Sequence, residues 1–367
     1  MRILLLGEYS GFFKNLKSGL LKLGHEVTLL ANGDEFKQIK GADAPLNKNL
    51  SQSFFKKVYR KMFEPFFDKR LYQDYDAVLL INTEVFYPKV MGRVLKKLKK
   101  HNKKVFLSSC GYDLAIYKAF LEGKFEYYMF ENNYKTVNRF NGPSWKKFNE
   151  RETEFKLIDK YIDCVIPTAY DYIVGYKRKY CPIILLPIDC DETKFNENKV
   201  NDKVVFFHGL NREEEKGTKY IVEALNMLKE KYPDDVEVIV DGKMPYDKYV
   251  QVMNKANVVL DQCKSYWYGM NAIIAMAQGK VVCSGARDES LAEVNISREE
   301  CPVIEIKPNA EFIFKKLEQL VLHKEKIPEL GRKSRAYVEK YHECQVVAQQ
   351  YINVFNKEEE KVWKELF

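Results

Sequence analysis

No run of about 18 apolar residues occurs in this 367-residue sequence, so it holds no candidate membrane-crossing helix. The opening MRILLLGEYSGF is apolar only from Ile3 to Leu6 before Gly7 and Glu8, too short for the core of an export signal, and reads as a first buried strand. A cytoplasmic location is the expectation. Eight cysteines, at Cys110, Cys164, Cys181, Cys190, Cys263, Cys283, Cys301 and Cys344, include no CxxC pair, which argues against a disulfide framework and a zinc site. Cys164 and Cys283 lie in strand-like runs and read as small buried apolar residues. Histidine is scarce, and His25, His101, His208, His323 and His342 show no metal-ligand spacing. The sequence also lacks GxGxxG after its first strand: Gly7-Glu8-Tyr9-Ser10-Gly11 has another glycine spacing, which argues against a nicotinamide cofactor. Asp74 and Asp76 have the spacing of a metal-chelating pair, but Asp76 runs directly into AVLLI and reads as a strand opening; Asp189 and Asp191 fall in a linker. No metal and no resident cofactor are expected.

What is present is a globular α/β pattern. Hydrophobic residues make up 46% of the chain, which excludes a disordered protein, and the length suggests two domains. Short apolar runs (RILLLG, HEVTLLA, DAVLLIN, KVFLSSC, IDCVIPT, CPIILLP) alternate with helical patterns, as in parallel sheets covered on both faces. A second series follows a polar stretch: KVVFFHG, VEVIVDG, NVVLDQ and KVVCSG, again separated by helices. The expected boundaries are a first Rossmann-like domain over 1–187, a linker over 188–202, a second such domain over 203–345 and a closing segment over 346–367.

Residues 256–285 carry the most information. They read strand (VVL), polar loop (DQCKSYWYG), helix (NAIIAMAQ), Gly-Lys turn and strand (VVCS), a crossover whose loop lies where open α/β sheets bind ligands. Trp267 and Tyr268 offer aromatic faces, Gly269 a pivot, and the helix start at Met270 and Asn271 unpaired N–H groups suited to a phosphate. Trp267-Tyr268-Gly269, Ala275-Met276-Ala277 with Gly279, and Val281-Val282 resemble the nucleotide-sugar loop of GT-B glycosyltransferases of family 4. The resemblance extends to the LLLGEYSG start, the PIDCDETKF linker, the Lys-Gly-Thr turn and the closing helices. It implies two Rossmann-like domains facing across a cleft, donor on the second, acceptor on the first, and a last helix returning to the first. One departure stands out: the family's Glu-x7-Glu pair falls on Tyr266 and Ile274, neither acidic.

In the loop after KVVFFHG, the resemblance gives Lys216 to the donor diphosphate; Arg212 lies nearer to it than the family's arginine, and both can equally neutralise Glu213–Glu215. His208 and Asn211 join the donor-side candidates, as do Asp261, Tyr266, Trp267 and Tyr268. The competing reading of Trp267 and Tyr268 is packing between helices. On the first domain, Glu8 is the candidate general base, Asp113 matches a Gly-x-Asp acceptor-side segment, and Gly7 and Gly11 allow close backbone approach to a ligand.

Charge is uneven. The net charge is +8, yet residues 48–104 hold fifteen Lys/Arg against five acids. Residues 54–72, FFKKVYRKMFEPFFDKRLY, interleave aromatics with cations, a composition suited to an anionic membrane interface, or to packing of the Phe residues on the first sheet. No nucleic-acid module is recognisable. The expected function is sugar transfer from a nucleotide sugar to a glycan or lipid-linked acceptor in surface polysaccharide synthesis, with retention implied by the resemblance. The alternatives are a non-catalytic subunit of the same fold and a nucleotide-sugar epimerase or hydrolase.

Overall fold

A computed structural model of the protein describes residues 1–32, 39–46, 54–111, 114–130, 156, 160–175, 181–242 and 246–357. β1 (Arg2–Leu6), β2 (Glu26–Leu30), β3 (Ala77–Leu80), β4 (Lys104–Ser109) and β5 (Cys164–Pro167) form one sheet in the order β2-β1-β3-β4-β5. β6 (Val204–Gly209), β7 (Val236–Asp241), β8 (Val258–Leu260), β9 (Val281–Ser284) and β10 (Ile304–Glu305) form another in the order β10-β9-β8-β6-β7. Every pairing is parallel. Counted from its own first strand, the second sheet repeats the order of the first. In both, the chain reverses its direction of winding between the first and third strands, and such a switch point opens a crevice at the strands' carboxyl ends.

The continuous apolar runs form strands because both sheet faces are covered. The exception is CPIILLP, which the sequence marks as a strand: it makes the backbone bonds Cys181 N–H to Val165 and Ile184 N–H to Pro167 beside β5 but forms no strand. Alternation along the first sheet sends Ile3, Leu5, Ala77 and Leu79 to one core and Leu4, Leu6, Val78 and Leu80 to another. The first core is closed by the helices Phe12–Lys22 and Cys344–Asn356, the second by Pro88–His101, whose Val90, Val94, Leu95 and Leu98 face the sheet at helical spacing. The final helix thus belongs to the first sheet's unit, as the resemblance implies. Gly19 lets it approach: a Cβ there would meet the Cys344 carbonyl oxygen at 2.0 Å. Gly19→Ala is therefore expected to cost about 2 kcal/mol, measured by urea unfolding; an unchanged midpoint would show that the two helices can separate at no cost.

Contacts divide the chain into two units. The first holds the described residues of 1–122, 136–187 and 344–357, the second those of 123–130 and 188–343. Two segments thus sit differently from the boundaries drawn above: 188–202 packs within the second unit, and so does 123–130, a stretch flanked by first-unit chain on both sides. The cysteine expectation also changes, because Cys164 and Cys181 are joined as a disulfide, with the other six cysteines buried and reduced. Both partners lie in the first core.

Candidate functional site

The second sheet's switch point lies between β6 and β8, which end at His208-Gly209 and Leu260. The loops leaving these strands are tied by a backbone bond from Cys263 N–H to the Lys216 carbonyl (2.9 Å). This tie brings together four candidates from separate stretches of sequence. Lys216 Nζ lies 3.0 Å from Asp261 Oδ1, and both side chains are almost fully buried. Asp261 also accepts from the Gly269 backbone N–H and from Asn271 Nδ2, each at 3.4 Å. Gly269 caps the helix Met270–Ala277, so an ammonium, a carboxylate and a helix N-terminus share one spot. Burial works against the Asp261 charge, but the Lys216 ammonium beside it holds its carboxyl below the usual range. Asn211 is half-buried; Arg212 is exposed and takes a left-handed backbone (φ 55°) at the start of the turn Glu213–Lys216.

Three donor-side candidates turn out to be braces. His208 is fully buried, with Nδ1 2.9 Å from the Leu260 carbonyl and Nε2 2.9 Å from Thr218 Oγ1. A carbonyl only accepts, so Nδ1 carries the proton and Nε2 receives the hydroxyl's. Both ring nitrogens are used to bind β6 to β8 and to the helix Thr218–Lys231. Burial holds this imidazole down at about 4. The unfolded chain takes up the proton near 6.5 and the folded chain near 4. Stability is therefore full above about pH 6.5 and falls between there and pH 4, by roughly 3 kcal/mol at the lower end. Urea unfolding at pH 7 and pH 4.5 checks this: the loss should shrink in His208→Gln, and an equal loss in both proteins would contradict it.

Tyr268 is the second brace. Its hydroxyl lies 2.7 Å from Tyr337 Oη and 2.9 Å from His342 Nε2, and burial pushes the phenol well above its ordinary pKa. Trp267 stacks on it at 4.5 Å, is itself buried, and accepts Gln262 Nε2 on its carbonyl. Both aromatics pack within the second unit, which favours the packing reading over that of faces for a base. Met270 is also buried.

Tyr266 marks a feature the sequence did not reveal. Its hydroxyl accepts from the Glu126 backbone N–H (2.7 Å), and Phe125 and Tyr127 meet its ring edge to face at 5.5 and 5.4 Å. Arg287 lies over the Tyr266 ring at 4.5 Å and pairs with Glu126 and Glu289, each at 2.7 Å. Burial raises the Tyr266 pKa, so it offers a neutral hydroxyl and no charge. Arg287 follows the carboxyl end of β9, the position rule that found the 261–269 loop, and the same rule would have found it.

In the first unit, Glu8 accepts from the Gly11 N–H (2.7 Å) and the Lys14 N–H (2.8 Å) with its two oxygens. Glu8 therefore ties down the first turn of the helix Phe12–Lys22, a structural use that stands beside its reading as a general base. Gly7 (φ 98°) is required by packing: a Cβ would meet Ile81 Cγ2 at 2.4 Å, where the sequence suggested approach to a ligand. Gly11 (φ 89°) serves as the N-cap of that same helix. Asp113 lies outside the described residues. At this sheet's switch point the structure adds Asn82, whose Nδ2 donates to Tyr9 Oη at 2.9 Å. Asp76 opens β3 as expected, accepting from the Arg2 N–H (2.7 Å) and pairing with Lys103 (2.6 Å).

No protein-family model matches the chain, and no curated sequence does. Solved structures do. A sucrose-phosphate synthase from Thermosynechococcus elongatus is similar with a TM-score of 0.62 at 15% identity, covering 97% of this chain and 98% of that one. Anabaena HepE, solved with UDP and glucose, has a TM-score of 0.61 at 13% identity over 98% of this chain and 100% of its own. A putative UDP-N-acetylglucosamine 2-epimerase from Listeria monocytogenes has a TM-score of 0.55 at 13% identity, covering 98% and 96%. Two parallel five-stranded α/β units, matched over nearly their whole length by these solved structures, give this chain the GT-B fold.

Proposed function

We propose that this protein transfers a sugar from a nucleoside-diphosphate donor, held at the second sheet's switch point, to a glycan or lipid-linked acceptor in surface polysaccharide synthesis. The observation that carries the reading is the meeting of Lys216, Asp261 and the N-terminus of Met270–Ala277 at one spot. Lys216 and Asp261 cancel as charges, so the pair orients an ammonium without adding net field. The donor's negative charge is then met by the helix start, by the remaining N–H bonds of Lys216, and by the exposed Arg212. On this account no divalent ion is required. HepE's complex with UDP and glucose supports a uridine donor.

The sugar end would lie against Tyr266, which replaces a carboxylate of the family pattern with a neutral phenol backed by Arg287. A phenol can hydrogen-bond a sugar hydroxyl but cannot act as a carboxylate, and Ile274 can do neither. The acceptor is presented at the inner face of an anionic membrane, a reading supported by the exposed aromatics of 55–67. Among the described residues no helix is long and apolar enough to cross that membrane.

The likeness to an epimerase supports a second reading, rearrangement or hydrolysis of the nucleotide sugar on the same site. Incubation with a panel of nucleotide sugars separates the readings. Acceptor-dependent release of nucleoside diphosphate is expected; a changed sugar with the nucleotide still attached would mark an epimerase, and binding without turnover a non-catalytic subunit.

A further inference from the structure

Half of the described chain's strongly exposed large apolar side chains fall in one short stretch: Phe55 (82%), Val58, Tyr59, Phe63 and Phe67 (70%). Phe55, Tyr59 and Phe63 repeat every four residues along and just beyond the helix Phe54–Met62, so they form one ridge, with Tyr59 and Phe63 stacked at 6.1 Å. An exposed apolar patch of this kind marks an interaction surface. Beside it opens a groove of about 390 Å³, walled by Phe66, Phe67 and Tyr72 and carrying Lys69, Lys97 and His101.

The groove is arranged for an anion. Lys97 Nζ is held by the Phe66 carbonyl and lies 4.2 Å from the Tyr72 ring centre, which fixes an ammonium at the groove wall. Its lining has no acid; the neighbouring Asp68 points to Arg70 at 2.5 Å, and Glu64 is buried. Phe67 belongs to both features, so an anion in the groove sits where the apolar ridge ends. Apolar contact continuous with a cationic pocket is the layout of a phospholipid, with chains beside the ridge and the phosphate between cations.

We propose that this groove seats the headgroup phosphate of an anionic phospholipid while the Phe55–Phe67 ridge enters the interface of the bilayer. The inference rests on the membrane-presented acceptor proposed above, and goes beyond it by naming a headgroup site. It differs from diffuse attraction in one respect: the position of the charges matters, not only their number.

The test is sedimentation of the full chain with phosphatidylcholine vesicles, with and without phosphatidylglycerol. The wild type should sediment only with the anionic vesicles. Lys69→Gln with Lys97→Gln should lower that affinity about tenfold. Lys96→Gln with Lys100→Gln removes the same charge from exposed positions on the same helix as Lys97, and should lower it only about twofold. Lys69→Gln with His101→Gln, both at exposed positions, guards against a folding defect in the Lys97 variant and should also lose more than the control pair. Equal losses in groove and control variants would overturn the headgroup site while leaving the membrane reading intact. Failure of the wild type to sediment would overturn both. Soluble glycerol phosphate should not displace the protein; full displacement would assign the groove to a free phosphate ester and overturn the lipid.

Discussion

Asp261→Asn should destabilise the protein by about 3 kcal/mol and at the same time tighten its hold on a nucleoside diphosphate. The first effect follows from burial. Lys216 and Asp261 are nearly inaccessible to water, and removing one partner leaves the other's charge uncompensated, which costs about 3–5 kcal/mol in such pairs. The second follows from what the carboxylate occupies. It engages the Lys216 ammonium, the Gly269 N–H and the Asn271 amide, the donors a diphosphate would use. With a neutral amide there, the diphosphate restores the missing charge, so UDP should raise the melting temperature of the variant more than that of the wild type. A variant that is as stable as the wild type and gains nothing from UDP would show that this pair does not border the donor site.

The other large effect concerns Tyr268. Tyr268→Ala should cost about 4 kcal/mol in urea unfolding, because it opens a cavity beneath Trp267 and removes the hydroxyl that Tyr337 Oη and His342 Nε2 both bond. Tyr268→Phe, which keeps the ring, should cost about 1–3 kcal/mol. A stable Tyr268→Ala protein that had lost only donor binding would return this ring to the ligand-stacking part first read for it.

These expectations show where the sequence was legible. The crossover over 256–285 was readable because strand, loop and helix are local, and the apolar runs of both sheets follow from burial on two faces. The strand-end rule singled out Asp261 and the resemblance singled out Lys216 as donor-side candidates, but their pairing spans 45 residues and has no local signature. Long-range partners also decide between the readings that the sequence left open. His208 becomes a brace through Thr218 and Leu260, and Tyr268 through residues 69 and 74 positions away. Glu8 was the exception. Its bonds to Gly11 and Lys14 are local, and a carboxylate just ahead of a helix start reads as a cap when the helix is placed first. Residues 123–130 could not be placed at all from sequence, since nothing in GKFEYYMF tells that Glu126 meets Tyr266 and Arg287 far along the chain.

The central claim, that the second unit holds a donor diphosphate against Lys216 and the start of Met270–Ala277, is tested most directly by calorimetric titration of UDP into the wild type and into Lys216→Ala. The account predicts saturable binding at one site in the wild type, weakened by roughly 1.5–3 kcal/mol in the variant, the range for a hydrogen bond to a charged group. Equal UDP affinity in a folded Lys216→Ala protein, or no UDP binding by the wild type, would contradict it.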